Sequence, residues 1–258
     1  MDVEEWFHAP GHPLGEDPAG WEALQPTLPA ALEKSLELLD RLQVRGTFFA
    51  LGWIAERYPS CVRQIADLGH EVACHGWFHR RVDRMEPGAF SEEMARSKAL
   101  LESLSGQPVT GFRAPCWSIV SGAWAYEALA RLGFRYSSSR LCIPGLGGGS
   151  PAPRTHFGVR EFPALSGRIL GVPVPAGGTV ALRVLPRWWL KAARRRREAS
   201  GSPAIYWFHP WELVADAPRL EGGALFRWAR YAGLRALPKR LSELLPKGDR
   251  RLARLLEG

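Results

Sequence analysis

Two histidines, His75 and His79, stand four residues apart in the run His75-Gly76-Trp77-Phe78-His79. At that spacing both imidazoles can meet one divalent cation, from successive turns of a helix or from a tight loop leaving a strand. Gly76 and the apolar-rich Glu71-Val72-Ala73-Cys74 just before it favour the loop. Neutral imidazoles are metal ligands, and a catalytic site adds a carboxylate while keeping one position open for water. By itself the pattern is loose, because His75 packed under a loop and His79 in solvent would satisfy it equally. The acids that can complete the set are Asp2, Glu4 and Glu5 at the chain start. Two further polar groups, Arg113 and His209, each follow an apolar run, Val109-Thr110-Gly111-Phe112 and Ala204-Ile205-Tyr206-Trp207-Phe208.

These residues need a scaffold, and the hydrophobic pattern predicts one. Leu28, Leu32, Leu36, Leu39 and Leu42 recur at helical spacing, and residues 46–51 read as a buried strand. Pro59 suits the first turn of a helix that Gly69 ends, and His70 to Cys74 is the next strand. Phe90, Met94, Leu101 and Leu104 mark a helix ended by Gly106, before the strand 109–112; Ala125, Leu129 and Leu132 mark another, before the strand 134–136. Such β-then-α units predict an α/β fold with a mostly parallel sheet, open or closed into a barrel. Beyond Cys142 loops dominate, with Gly147-Gly148-Gly149 read as flexible chain, short strands at 158–162 and 168–170, and a helix over 183–200. The apolar run 204–208 is a strand that delivers His209, and a helical extension begins at about 219. No repeat or linker divides residues 1–258, which are expected to form a single domain. In a barrel of parallel strands the exits lie on one rim, so the acidic start, the histidine loop, Arg113 and His209 are expected to converge.

The chain of 258 residues is long enough for one large α/β domain, and 46% hydrophobic against 23% charged residues is ordinary for a soluble globular protein. Its 11 tryptophans exceed what a core needs; indole faces suit sugar rings or bases. Trp6, Trp77, Trp117, Trp207 and Trp211, close in sequence to the polar cluster, are candidates for a sugar groove, with Pro115 beside them. The formal charge of +8 points to acidic partners, yet the run Arg194 to Arg197 has no nucleic-acid motif around it, so nucleic acid is not expected. Cys61, Cys74, Cys116 and Cys142 form no C-x-x-C pair, which suggests a reduced compartment. No stretch approaches ~18 consecutive apolar residues and no basic-then-apolar leader opens the chain, so a cytoplasmic protein without stable membrane insertion is expected.

In the order acidic cluster, H-G-x-x-H, G-F-R-A-P and an apolar strand ending in histidine, residues 1 to about 245 resemble the NodB-homology polysaccharide deacetylases, carbohydrate esterase family 4. Asp-Val-Glu-Glu-Trp-Phe-His and Tyr-Trp-Phe-His-Pro-Trp-Glu are most similar to the branch associated with exopolysaccharide and exosortase systems. The resemblance implies a deformed, seven-stranded (β/α) barrel and a metal-dependent hydrolase that removes N-acetyl groups from a polysaccharide or oligosaccharide. It implies His75 and His79 as ligands of a divalent ion, zinc being the one expected, with a carboxylate from the N-terminal cluster. Alternation along an extended strand puts Asp2 and Glu4 on one face, which favours Glu4 as that ligand and leaves Glu5 as the alternative. It implies Asp2 as general base, Arg113 as the group orienting Asp2, His209 as general acid, and Trp6, Trp77, Pro115, Trp117 and Trp211 as sugar contacts. The chain departs from the family twice. Asp2 is followed by Val3 where a second aspartate is usual, and Tyr136-Ser137-Ser138-Ser139 stands where an aspartate usually tunes the acid histidine. Two other readings use the same residues: an amidohydrolase of small linear or cyclic amides, and a carbohydrate-binding or scaffold protein with weak turnover.

Overall fold

The strand-helix alternation is present in the computed structural model, which describes residues 1–120, 123–143, 152–214 and 216–257. The first half runs β1 (Asp2–Val3), α1 (Leu28–Arg41), β2 (Val44–Arg45), β3 (Thr47–Ala50), α2 (Gly52–Arg57), α3 (Pro59–Asp67), β4 (Glu71–Cys74), α4 (Pro87–Ser105), β5 (Gly111–Phe112), α5 (Ala123–Arg131) and β6 (Tyr136–Ser137). The second runs β7 (Arg154–His156), β8 (Val159–Glu161), β9 (Ser166–Ile169), β10 (Val172–Pro175), α6 (Thr179–Val184), α7 (Arg187–Ala199), α8 (Ala224–Tyr231), α9 (Leu237–Leu244) and β11 (Gly248–Asp249). The glycine triplet 147–149 lies outside the described residues.

Seven strands pair in the order β1-β3-β4-β5-β6-β8-β7, all parallel except the last pair. The pleat sorts neighbouring side chains to opposite faces. Phe48 and Val72 pack outward in the large cluster under the helices, while Phe49 and Ala73 turn inward with Tyr136, Phe162, Ile205 and Leu252. Across the free side of β1, the Asp2 amide donates to the Phe208 carbonyl at 3.1 Å, Trp207 N–H to Gly177 at 2.7 Å and Leu165 N–H to Ile205 at 3.0 Å. The segment 204–208 therefore bridges β1 to the chain that leaves β8, closing a deformed barrel. It was expected as a continuous strand; its one regular bridge is Gly178 with Trp207, because the chain that it faces, around 163–165 and 176–178, is irregular.

Two other expectations change in detail. The helix over 183–200 is two helices, α6 and α7, with Leu185 extended between them (ψ 152°); a residue before proline, here Pro186, is pushed out of the helical region. The C-terminal extension is not helical throughout. It returns to the barrel through β11, which pairs with β2, and then caps its lower end, where Leu252 N–H donates to Thr47 Oγ1 (2.8 Å) and Ala253 N–H to Glu71 Oε2 (3.1 Å). One hydrophobic cluster runs from Met1 to Leu244, so both halves of the chain share it. Among the described residues no helix is long and apolar enough to cross a membrane.

His70 at the start of β4 gives the fold a pH signature. It is buried, accepts the Gly46 N–H at Nδ1 (3.1 Å) and meets the edge of Phe48. Burial, aided by the charge of Arg45, pushes its imidazole down from 6.5 to about 4. The unfolded chain then binds a proton that the folded chain refuses between those two values. The associated stability is complete above 6.5 and is lost as the pH falls towards 4, on the order of 3 kcal/mol. Urea unfolding at about pH 7 and about pH 4.5 should show that His70→Asn, which keeps an acceptor, loses less stability than the parent; equal losses would refute the assignment.

Candidate active site

The site is assembled at the exits of β1, β4 and β5 and from the segment after 204–208. Strand β1 turns Asp2 to the same side as Glu4, and both are buried. At the end of β4 the His75 amide still donates to Ala50 (2.9 Å), after which the chain breaks into the loop. That loop is tight: Gly76 has φ 87°, and His79 itself has φ 56°, a left-handed conformation rare for a residue with a side chain. Glu93 of α4 holds it. Its Oε1 accepts the N–H groups of Trp77 (2.8 Å) and Phe78 (3.4 Å), and its Oε2 pairs with Arg80 at 2.6 Å. On the other side the Trp77 ring lies flat over Gly52, where a Cβ would come within 2.3 Å of it.

The result is a three-residue focus. His75 Nε2 is 2.9 Å and His79 Nε2 3.0 Å from one oxygen, Glu4 Oε1. His75 Nδ1 lies 2.7 Å from the Arg113 carbonyl. A carbonyl only accepts, so Nδ1 carries the proton and the Nε2 lone pair faces Glu4. Glu4, His75 and His79 bring their ligand atoms within 4.8 Å of one another, and so do Asp2, Glu4 and His209. Arg113, fully buried, donates to Asp2 Oδ1 at 2.6 Å and to Ser138 through both its carbonyl (3.0 Å) and hydroxyl (2.9 Å). His209 Nε2 stands 3.9 Å from Glu4 Oε2, and its Nδ1 is 2.9 Å from Glu212 Oε1.

Charge settles the protonation of this cluster. Burial alone would raise the carboxyl of Asp2, but Arg113 and His75 hold it below the usual range. The same competition, with the charges of His79 and His209 on the other side, holds Glu4 well below it. For His209 burial works towards the neutral form and is outweighed by Glu4, Glu212 and Asp2, so its pKa rises.

The expected residues divide plainly. Asp2, Glu4, His75, His79, Arg113 and His209 come together. Glu5 does not join them: its carboxylate accepts from Thr27 N–H and Oγ1 and from Leu28 N–H at 2.9–3.0 Å, at the positive end of α1. Trp117 and Trp211 line a cavity of about 300 Å³ over the focus, together with Trp207. Trp6, Trp77 and Pro115 do not line it. All three are buried: Trp6 is tied to the Gln25 carbonyl and packs against Phe7, and Trp77 is wedged between Gly52 and Arg96. The aspartate missing at Ser137 has a counterpart elsewhere, Glu212, which accepts the His209 amide and pairs with its ring and with Arg183 (3.2 Å). Its signal was local, the three-residue step from His209 to Glu212 that makes a capping box. Arg183 and Arg230 also reach the cavity, as does His8, whose Nδ1 accepts the Glu5 amide; no short-range pattern announces the arginines. A second cavity of about 590 Å³ adjoins the first and shares Pro10, His79 and Cys116 with it.

The polysaccharide deacetylase family matches residues 20–137, and a domain of unknown function, DUF3473, matches residues 143–254. Over 110 residues the chain is 29% identical to a peptidoglycan deacetylase of Helicobacter pylori, covering 43% of this chain and 37% of that protein. Over 161 residues it is 30% identical to a probable 4-deoxy-4-formamido-L-arabinose-phosphoundecaprenol deformylase of Shewanella sediminis, covering 55% of this chain and 50% of that protein. The matches thus span half or less of these relatives' lengths. The fold superposes on the crystal structure of a putative polysaccharide deacetylase from Mycobacterium smegmatis with a TM-score of 0.54 and 21% identity, over 84% of this chain and 79% of that one. Architecture and sequence together define an α/β barrel of the carbohydrate esterase family 4 type. Residues 20–137 thus carry a polysaccharide deacetylase domain of the NodB type, and residues 143–254 a DUF3473 domain.

Glu5→Ala should leave three donors at the start of α1 without their acceptor and lower unfolding free energy by about 1–2 kcal/mol, measured by urea denaturation. Glu93→Ala should cost about 1–3 kcal/mol by orphaning the loop amides; a change under about 0.5 kcal/mol in either would remove the role given to that carboxylate.

Proposed function

We propose that this protein hydrolyses N-acetyl groups on the amino sugars of a polysaccharide or oligosaccharide, releasing acetate and a free amine. The observation that carries the reading is the single oxygen, Glu4 Oε1, shared by two imidazole nitrogens at 2.9 and 3.0 Å, with Asp2–Arg113 and His209 beside it. The donor set fits a divalent ion. The His75 lone pair is aimed at a carboxylate oxygen, two acceptors meeting with no proton between them in the neutral tautomer, as a shared Lewis acid would require. Their separations approach the roughly 3.3 Å expected between ligands in a tetrahedron with zinc-type bonds of ~2.0 Å. Glu4, His75 and His79 would hold the ion, which supplies polarisation of the amide carbonyl and a lowered pKa for water.

The remaining steps belong to the chain's own side chains. Asp2, kept ionised by Arg113, takes the proton of the attacking water. Arg113 is itself fixed by Ser138, so the base cannot swing away. His209, proton-bearing through Glu4 and Glu212, donates to the departing nitrogen, and Glu212 fixes its ring through Nδ1. Trp117, Trp207 and Trp211 offer faces for the sugar ring. Two adjoining cavities that meet at His79 suit several sugar units better than one small amide. The deformylase among the relatives favours a second reading, a formyl group on an amino sugar, which the same residues would hydrolyse.

Purified protein assayed on N-acetylated oligosaccharides should release acetate, lose that activity on chelation and regain it with zinc. Asp2→Asn and His209→Ala should each lower kcat by about two to four orders of magnitude. Metal analysis should find one ion in the parent and none in Glu4→Ala or His75→Ala; metal retained in both would abolish the site as drawn. Formate release without acetate would select the second reading. Glycan binding without either product, unchanged by His209→Ala, would make the protein a binding module.

A further inference from the structure

The hairpin β9–β10 turns through two residues, Leu170 and Gly171, with φ of 48° and 82°. A two-residue turn with both φ positive ordinarily takes Asn, Asp or Gly first. Here leucine occupies that left-handed position as a residue 99% exposed. For the isolated molecule this choice is unfavourable twice over, in backbone conformation and in apolar surface left in water. Beside it Ile169 and Val172 are 41% and 61% exposed, which makes the tip an aliphatic knob.

The base of the hairpin is fixed. Gly167 sits under the indole of Trp189 on α7, where a Cβ would approach within 2.7 Å, and Arg168 and Pro173 share a cavity with Trp188 and Arg196. Trp188 is 72% exposed. From it, Lys191, Ala192, Arg195 and Arg196 follow at three- and four-residue steps along one face of α7. Arg187 and Arg194 are paired with Glu243 and Glu198. Arg168, Lys191, Arg195 and Arg196 have no carboxylate partner among the described residues.

We propose that this corner docks on a bilayer surface bearing anionic headgroups. Leu170, with Ile169 and Val172, enters the boundary of the acyl region; Trp188 lies at headgroup depth; the four cations face lipid phosphates. The charge decides between occupants. A second copy of this chain would bury the knob but leave four like charges facing a molecule that is itself strongly basic. A saccharide would use flat aromatic faces and gain little from a projecting leucine. Among the described residues no helix is long and apolar enough to cross a membrane. From β10 the chain passes through Gly178 to Thr179, which lines the active-site cavity, so docking would orient that cavity relative to the membrane. The inference stands whether or not the proposed hydrolysis is correct.

The full chain should co-sediment with phosphatidylcholine vesicles containing phosphatidylglycerol and not with phosphatidylcholine alone, and should bind about tenfold more weakly in ~0.5 M salt. Leu170→Asn is the decisive variant. Asparagine suits the turn, so melting temperature should stay level or rise while vesicle affinity falls by about tenfold or more. Neutralising Lys191, Arg195 and Arg196 together to Gln should lower affinity at least as far. The proposal is overturned if the parent ignores anionic vesicles, if either variant binds them as the parent does, or if Leu170→Asn abolishes a concentration-dependent dimer in a protein that binds no vesicle.

Discussion

Everything at the rim depends on one buried carboxylate oxygen, Glu4 Oε1, and on what it costs to keep a charge there. An ionised carboxylate taken out of water loses several kcal/mol of solvation. That oxygen is approached by the two imidazoles at 2.9 and 3.0 Å, with His209 beyond them. Each of those partners is in turn held by backbone or by another charge: His75 by the Arg113 carbonyl, His79 by a loop clamped through Glu93, His209 by Glu212. The site is therefore a closed set of mutual constraints. Relaxing any one partner leaves the shared oxygen under-compensated.

This explains why the second half of the chain cannot be an ornament on the first. The residues matched by the polysaccharide deacetylase family, 20–137, include His75, His79 and Arg113. His209, Glu212, Trp207, Trp211, Arg183 and Arg230 lie within the DUF3473 match, 143–254, and reach the same cavity or its back wall. The hydrogen bond from Asp2 to Phe208 is the seam, since it ties the strand that presents Asp2 to the segment that presents His209.

Much of this was legible in the sequence, for physical reasons that differ by residue. Helices α1, α3 and α4 follow from leucine spacing, from Pro59 in a first turn and from Gly106, whose φ of 63° is the left-handed end of α4. The convergence of Asp2, His75, Arg113 and His209 follows from parallel strands having one exit rim. Two-residue alternation singled out Glu4 over Glu5, and the end of α1 supplies the reason for Glu5, a helix terminus no periodicity in residues 1–7 could reveal. The tryptophans were harder. Trp6 and Trp77 neighbour the motifs in sequence, but nearness along the chain does not say on which side of a loop an indole falls. Arg183 and Arg230 arrive from helices whose docking depends on packing over the whole molecule.

The serine run that stands where the resemblance leads one to expect an aspartate is fully engaged in hydrogen bonds. Ser138 receives Arg113 at two points and passes its hydroxyl to the Phe162 carbonyl, while Ser139 accepts the Ala114 amide and donates its own amide to Glu161. An aspartate at 137 would stand beside Glu161, whose carboxyl burial already drives upward despite four hydrogen bonds. Two acids there would repel in a medium that screens them poorly. The ring of His209 pairs with Glu212 of its own turn, and Arg183 balances that carboxylate at 3.2 Å. The imidazole of His209 is thus held from its own turn. It thereby depends on three residues of local chain and one arginine from α6 instead of on the register of the barrel.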